Sequence, residues 1–138
     1  SHPVWIEDES ALIGRIHIPE ELFTQMRSAP IIRIELDKSY RIQRLVREYA
    51  GADRDILLDG INRIKKRLEP NAAKAAITAL ENGDFRTAAD QILNYYDKAY
   101  QYGLHKRINP TICNLPLQGD DPTNHAQQLI NFRKEQYV

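Results

Sequence analysis

The feature that most constrains the fold is a change of hydrophobic period at Ser39. Before it, two short apolar runs, residues 4–6 and 31–36, have the composition of buried strands. Between them, residues 20–28 have the pattern of a helix that begins just after Pro19. Two strands joined through a helix pair in parallel by a right-handed crossover. The first part of the chain therefore predicts a short parallel βαβ unit.

After Ser39 the apolar residues recur at helical spacing through most of the remaining chain. Residues that cap or break helices divide this region, at Gly51, Asp53, Pro70, Gly83, Asp84 and Gly103. Residues 108–124 contain several prolines and little periodicity, which indicates a loop. A short helix is expected over residues 123–136.

These patterns predict an α/β fragment that is predominantly helical, with a short parallel βαβ unit of a P-loop-type sheet followed by a helical carboxy-terminal region. Two strands alone leave unpaired backbone edges, so we expect the sheet to continue upstream of this chain. The expected division is 1–38 for the end of the sheet domain, 39–107 for the helical region, and 108–138 for a loop with a short terminal helix.

The charge of the chain is balanced overall and uneven locally. The formal net charge is +0 at pH 7, so no global field draws the chain to nucleic acid or to a membrane. Residues 41–67 nevertheless hold eight Lys/Arg against four Asp/Glu. No apolar run is long enough to span a bilayer, and the single Cys113 has no partner for an internal disulfide. These features favour a cytoplasmic protein.

Three acids, Glu7, Asp8 and Glu9, follow directly after the first predicted strand. In Walker-B-like elements a carboxylate at this end of a strand holds Mg²⁺ beside a nucleotide or pyrophosphate. The alternative is that acids end the strand because the chain returns to solvent. The histidines and Cys113 share no zinc-ligand spacing, so no metal site is predicted from motifs.

Arg41, Arg44 and Arg47, here called the arginine row, fan across the polar face of the helix that follows the second predicted strand. Guanidinium groups bind phosphate oxygens bidentately and stay charged, so the row is a candidate phosphate site. The alternative is an ordinary solvated helix face.

Arg63 and Lys66 lie opposite the apolar stripe of the next predicted helix, with Lys65 and Arg67 beside them. Such a run is a candidate track for an RNA backbone, because cations that neutralise phosphates release counterions. Again a solvated face is the alternative. Residues 63–67 are called the basic segment below.

The stretch Trp5-Ile6-Glu7-Asp8-Glu9-Ser10-Ala11-Leu12-Ile13-Gly14-Arg15-Ile16-His17-Ile18-Pro19 resembles the corresponding stretch of bacterial tRNA 2-selenouridine synthases. The likeness continues through residues 22–49 and includes the element Tyr95-Tyr96-Asp97-x-x-Tyr100. Lys98 stands where that family is expected to have a proline, and the tail after residue 108 has no match.

The resemblance implies a transferase with a rhodanese-like domain followed by a P-loop domain. The family replaces the sulfur of 2-thiouridine at the tRNA wobble position with selenium, through a geranylated intermediate. The implied substrates are tRNA, selenophosphate and geranyl diphosphate. The resemblance also allows a Mg²⁺ ion beside the phosphates of these substrates. This chain then corresponds to the carboxy-terminal part of the P-loop domain. It would work with the upstream P-loop and rhodanese-like parts, not at a membrane, and would be inactive alone.

Carried onto matching positions, the resemblance makes Glu7, Glu9 and Ser10 the candidate catalytic residues and assigns Gly14 to a tight backbone turn. Candidate phosphate- or tRNA-binding residues are Arg41, Arg44, Arg47, Arg63 and Lys66. Two other interpretations stay open. One is a P-loop phosphotransferase of the nucleotide-kinase type that needs no tRNA. The other is a non-catalytic helical module that binds RNA or a protein.

Overall fold

The structure is a computed structural model, and it describes residues 4–8, 10–107 and 111–136. The strands are β1 Leu12–Ile13, β2 Ile16–His17, β3 Ile31–Leu36 and β4 Ile112–Leu117. The helices are α1 Glu20–Ser28, α2 Lys38–Tyr49, α3 Arg54–Ile64, α4 Pro70–Glu81, α5 Phe85–His105 and α6 Pro122–Gln136. The predominance of helix and the presence of a parallel sheet confirm the coarse prediction. None of the helices in the described ranges combines the length and apolarity that crossing a membrane requires.

The strands β1 and β2 form a hairpin with a two-residue turn. Leu12 pairs with His17 and Ile13 with Ile16, so Gly14 and Arg15 form the turn between them. Gly14 has φ 62°, a left-handed conformation that an L side chain rarely adopts. The hairpin therefore depends on a glycine at this position.

β3 and β4 form a two-stranded parallel sheet, in register from Ile31 opposite Ile112 to Leu36 opposite Leu117. The chain between the two strands contains α2 to α5. The prediction for β3 was correct in its bounds and its parallel sense, and wrong in its partner. β4 lies in the segment that was predicted to be a loop.

The predicted strand over residues 4–6 is wrong, since residues 4–8 have no strand conformation. Val4 and Ile6 are 81% and 57% exposed, so this apolar run contributes little to a core. β4 instead places Leu115 and Leu117 in the interior, at 8% and 5% exposure. Six paired residues and two buried leucines make β4 the better partner for β3.

The main hydrophobic core lies between α3, α4 and α5. It contains the small residues Ala73, Ala76 and Ala79, and the larger Ile61 and Leu80. Alanines let helix backbones approach closely, and Ala76 is completely buried. The alanine-rich face of α4 is therefore its packing face.

Aspartates begin α2, α3 and α5, and the sequence predicts two of these caps, Asp53 and Asp84. Asp53 accepts a hydrogen bond from the Asp55 amide at 2.8 Å, and Asp84 accepts one from the Thr87 amide at 3.0 Å. Asp37 caps α2 by accepting from the Ser39 amide at 2.8 Å. Hydrogen bonds from Ser39 lower the pKa of Asp37, and hydrogen bonds from Thr87 lower that of Asp84.

Candidate functional site

In the acidic segment, residues 7–10, the described residues 7, 8 and 10 have no helix or strand conformation and precede the β1–β2 hairpin. Glu7 is exposed, and the Ser10 hydroxyl donates to the Leu12 carbonyl oxygen at 2.7 Å. Glu9 lies outside the described residues. Two of the three predicted catalytic residues can therefore be placed, and neither contacts another candidate site residue.

Asp8 is the anchored member of the acidic segment. Its Oδ1 accepts a hydrogen bond from Nη2 of Arg107 and lies 3.9 Å from Nη1 of Arg27. The side chain of Arg107 is only 1% exposed, whereas that of Asp8 is 31% exposed. The segment is thus attached to the interior through Asp8, not through the glutamates that the sequence singled out.

Arg107 also satisfies the carboxyl end of α1. Its Nη1 donates to the carbonyl oxygens of Met26 and Arg27, both at 3.0 Å. The last carbonyls of a helix have no partner within the helix, so these bonds supply donors that α1 lacks. Arg27 in turn donates from Nη2 to the Gly103 carbonyl oxygen at 3.1 Å. Arg107 and Arg27 therefore tie the acidic segment, α1 and the end of α5 together.

Sequence reasoning missed Arg107, because it stands after α5 beside the predicted loop and belongs to no periodic pattern. A single arginine at the end of a helix is common, since cations favour that end of the helix dipole. The only signal in the sequence was an unassigned acid, Asp8, between two candidate glutamates.

The described carboxylates of the acidic segment, Glu7 and Asp8, do not converge as ligands for Mg²⁺. Within the described ranges no group of three or more His, Cys, Asp or Glu residues is placed to hold a metal ion. Glu7 is exposed, and Asp8 already accepts from one arginine and lies near a second. The residues that the structure describes therefore do not fit the ion that the resemblance allowed.

Arg41 of the arginine row pairs bidentately with Asp97 of α5. Its Nη1 and Nη2 donate to the two carboxylate oxygens at 2.6 and 2.9 Å. The hydrogen bond from Arg41 lowers the pKa of Asp97, and the same bond raises the pKa of Arg41. One turn earlier, Lys38 donates to Asp90 at 2.5 Å. Both pairs hold α2 against α5.

Arg44 and Arg47 share a single carboxylate, Asp120, in the loop after β4. Arg44 Nε donates to Asp120 Oδ1 at 2.7 Å, and its Nη2 donates to the same oxygen. Arg47 Nη2 donates to Oδ2 at 2.7 Å. Hydrogen bonds first from Arg44 and then from Arg47 hold the pKa of Asp120 below its usual range. The Asp120 side chain, at 14% exposure, thus occupies the place where a phosphate would bind these guanidinium groups.

Among the described residues, the acids and the arginine row have separate partners. Asp8 pairs with Arg107 and Arg27, whereas the row pairs with Asp97 and Asp120. The prediction relied on a strand over residues 4–6 that would bring the acids to the edge of the β3 sheet. Without that strand, the physical reason for bringing the acids and the row together is lost.

The basic segment differs from the row in exposure and in pairing. Arg63 lies in the last turn of α3, and Lys65, Lys66 and Arg67 lie in the turn that follows. All four side chains are exposed, and none makes an ion pair within the described part of the chain. The nearest acid along the sequence, Glu69, pairs with Lys98 at 2.6 Å, and that bond lowers the pKa of Glu69.

Two open depressions are lined by other residues, and the first of them includes Arg107, the partner of Asp8. One, of about 490 Å³, is lined by Arg33, Gln101, Leu104, His105, Arg107 and Ile112. The other, of about 450 Å³, lies between α4 and α5 and has Lys74, Thr78 and Asn82 in its wall. Neither includes a residue of the acidic segment or of the arginine row.

Comparison with known proteins places these features in a family. The family model described as "tRNA 2-selenouridine synthase AAA domain" matches residues 1–119. A tRNA 2-selenouridine synthase of Psychromonas ingrahamii is 31% identical in an alignment of 133 positions, which covers 75% of this chain and 36% of that protein. One of Shewanella denitrificans is 30% identical in an alignment of 150 positions, which covers 88% of this chain and 40% of that protein.

A third relative of the same description, from a Shewanella species, is 27% identical in an alignment of 161 positions, which covers 96% of this chain and 41% of the relative. The chain therefore spans about two fifths of the length of the curated relatives it matches. No solved structure matches this chain.

Proposed function

The chain belongs to the tRNA 2-selenouridine synthase family, and from that membership we propose that it is part of an enzyme that modifies tRNA. The proposed reaction replaces sulfur by selenium in a wobble 2-thiouridine, with selenophosphate as selenium donor and a geranylated intermediate. The observation that carries the proposal is the family match over residues 1–119. The remaining parts of the enzyme, P-loop and rhodanese-like, are its proposed partners, and the cytoplasm its proposed location.

We assign tRNA binding to the basic segment. Arg63, Lys65, Lys66 and Arg67 are exposed cations that no carboxylate in the described ranges neutralises. Such groups are free to replace the counterions of an RNA backbone, and each phosphate neutralised adds to the salt dependence of binding. Arg63 and Lys66, which the sequence already singled out, are the proposed main contacts.

The arginine row is proposed as a second phosphate site, with a condition that its ion pairs impose. Arg44 and Arg47 can bind phosphate only by exchanging the Asp120 carboxylate for phosphate oxygens. Arg41 would likewise have to release both oxygens of Asp97. Arg47 makes one such hydrogen bond, whereas Arg41 and Arg44 make two each, so Arg47 retains the most unused donors and is the best candidate of the row.

Glu7, Glu9 and Ser10 stay proposed as substrate-positioning or catalytic groups, and Gly14 as the glycine that the turn behind them requires. Ser10 is held toward the hairpin by its bond to Leu12. No step is routed through a metal ion, since the described carboxylates do not converge on one. Their proposed work is to orient polar groups of the substrate by hydrogen bonds.

The test uses this chain extended by the region that its relatives have and it lacks, and measures selenation of thiolated tRNA. The Arg63→Gln/Lys66→Gln double variant is expected to raise the KM for tRNA with little change in kcat, because it removes binding that ground and transition states share. Glu7→Gln and Ser10→Ala are expected to lower kcat.

A matched control removes two other exposed cations, Arg86 and Lys134, by Arg86→Gln/Lys134→Gln. It has the same change in net charge and is expected to leave KM within about twofold of wild type. An equal rise of KM in both double variants would mean that only net charge matters and would remove the basic segment from the site. Absence of selenation in the extended wild-type protein would overturn the proposed reaction itself.

A further inference from the structure

We propose that β3 is an inner strand of a larger sheet, and that its free edge binds a further strand of the same polypeptide. The strand would come from the region that the curated relatives have and this chain lacks. The proposal rests on the family membership and not on any assigned site residue. It names the surface through which the proposed partner region is joined.

The orientation of the backbone identifies the free edge. The Ile31 amide donates to the Thr111 carbonyl oxygen at 2.8 Å, so the polar groups of both residues point into the β3–β4 ladder. Backbone groups alternate in direction along a strand. In β3, Arg33 and Glu35 therefore face β4, whereas Ile32, Ile34 and Leu36 direct their N–H and C=O groups away from it.

The same alternation makes β4 an edge strand. Residues 111, 113, 115 and 117 direct their polar groups to β3, so Ile112, Asn114 and Pro116 direct theirs outward. Pro116 has no N–H, and proline in sheets is confined to edge strands and bulges. A strand added on the β4 side would lose a hydrogen bond at Pro116, whereas the β3 edge offers every donor and acceptor. The sheet can continue fully only on the β3 side.

Burial of the side chains independently indicates that the sheet continues on the β3 side. Ile34 and Leu115 are opposite each other in the register and so share one face of the sheet. Leu115 is 8% exposed, whereas Ile34 is 51% exposed. The face that holds both residues is thus covered over β4 and open over β3. An apolar strand residue left open beside a buried partner indicates that a neighbouring element is missing on the β3 side.

β3 contains no lysine, proline or bulge, three of the features that protect an exposed edge. Its two charged side chains, Arg33 and Glu35, pair with each other. Among the described residues no strand other than β4 pairs with β3. The chain spans only 36% to 41% of its relatives, so those proteins have ample length to supply the strand. A strand of the same polypeptide is therefore the occupant that we infer.

Amide hydrogen exchange tests the proposal on this chain and on the chain extended by that region. In the chain alone, the Ile32 and Ile34 amides are expected to exchange at least about tenfold faster than those of Arg33 and Glu35. In the extended protein all four are expected to be protected. The outward amides of Ile112 and Asn114 provide the internal control, and should exchange fast in both proteins.

Each other outcome overturns the proposal. Fast exchange at Ile32 and Ile34 in the extended protein would leave β3 without a partner. New protection at Asn114 alone would place the added strand on β4. Protection of Ile34 in the short chain that increases with protein concentration would identify a second copy as the occupant. None of these outcomes depends on selenation activity, so failure here is distinguishable from failure of the proposed reaction.

A substitution gives a second readout. Ile34→Lys is expected to leave the melting temperature of the short chain within about 2 °C of wild type, because the side chain is already half exposed. In the extended protein the same change is expected to lower it by about 5 °C or more. Ile56→Lys on α3, at 68% exposure, is the control and should be tolerated in both. Equal tolerance of Ile34→Lys in both proteins would refute the inference.

Discussion

The arginine row on α2 and the basic segment at the end of α3 are both rich in cations, but they differ in whether those cations are paired. Each guanidinium of the row donates to a carboxylate of the same chain, Asp97 or Asp120. The cations of the basic segment are exposed and have no such partner in the described ranges. The count of positive charges is therefore a poor guide to binding, because a cation paired within the chain must first give up its own anion.

The two environments also differ in what a cation contributes. A partly buried pair stabilises the fold and leaves an unsatisfied partner when one member is removed. An exposed, unpaired cation contributes little to stability and remains free to bind an external phosphate. Substitutions in the two regions should therefore separate into effects on unfolding and effects on tRNA binding.

The largest effect is expected at Arg107, whose side chain is the most deeply buried of the paired cations. Arg107→Met keeps the apolar stem and leaves Asp8 and the carbonyl oxygens of Met26 and Arg27 without their donors. We expect the free energy of unfolding to fall by about 2–3 kcal/mol, measured by urea denaturation. Arg107→Lys should recover part of this loss. A fall below about 0.5 kcal/mol would show that burial of this arginine contributes no stability.

The next effect concerns tRNA binding through the basic segment. In Arg63→Gln/Lys66→Gln we expect the affinity of this chain for tRNA to fall by roughly tenfold at low salt. The slope of log affinity against log salt should decrease in magnitude by about 2, since two phosphate contacts are lost. Filter binding over a salt series measures both. An unchanged slope would mean that these side chains do not contact phosphates.

A smaller effect is expected on the free energy of unfolding when one arginine of the row and one arginine of the basic segment are each replaced. Arg41→Gln removes the bidentate pair with Asp97, whose partners are 32% and 38% exposed, so solvent screening limits the loss to about 1 kcal/mol. Arg63→Gln is the matched control and should change the free energy of unfolding by less than about 0.5 kcal/mol. Equal losses in both variants would remove the distinction between the two regions.

The same pair has a pH dependence with a definite sign. Arg41 lowers the pKa of Asp97 below its ordinary value of 3.8, so the stabilisation is complete above that value. It is lost as the pH falls through the still lower pKa of the folded state. The difference in stability between wild type and Arg41→Gln should thus be full at about pH 6 and shrink below about pH 4. A difference that grows on acidification would contradict the pairing.

The smallest effect is expected on anion binding by the arginine row, when the carboxylate that pairs with two of its arginines is removed. Asp120→Asn leaves Arg44 and Arg47 without their shared carboxylate, and we expect affinity for pyrophosphate to rise about threefold at low salt. Asp121→Asn, at the neighbouring position, has the same change in net charge and is the control. Isothermal titration calorimetry on both variants gives the comparison. An equal rise in the control would show a general charge effect instead of released guanidinium groups.

Local features were predictable from sequence because nearby residues decide them. The bounds of β3, the caps at Asp53 and Asp84 and the small-residue face of α4 follow from spacing and side-chain chemistry alone. The domain division and the roles of the candidate site residues stay predictions. Glu9 lies outside the described residues, and no observation assigns the others a substrate.

Long-range features were not predictable in the same way. The prolines around β4 predict a loop because proline is a strong turn signal, yet Pro116 is tolerated in the strand, where its missing N–H faces outward. The acids after residues 4–6 were assigned to a sheet edge because an apolar run of that kind is typical of a strand. Pairing depends on the partner, and β4 offered β3 six residues in register.

The sequence by itself determined the helical period, the caps, the glycine turn and, through its resemblance, the family. Only the tertiary structure decided that the arginine row is paired, that the basic segment has no ion-pair partner among the described residues, and that Asp8 is tied to Arg107 across 99 positions of the chain. The physical reason is that helix and turn preferences depend on neighbours a few residues away. The state of a charge depends on whichever opposite charge the fold brings within about 4 Å.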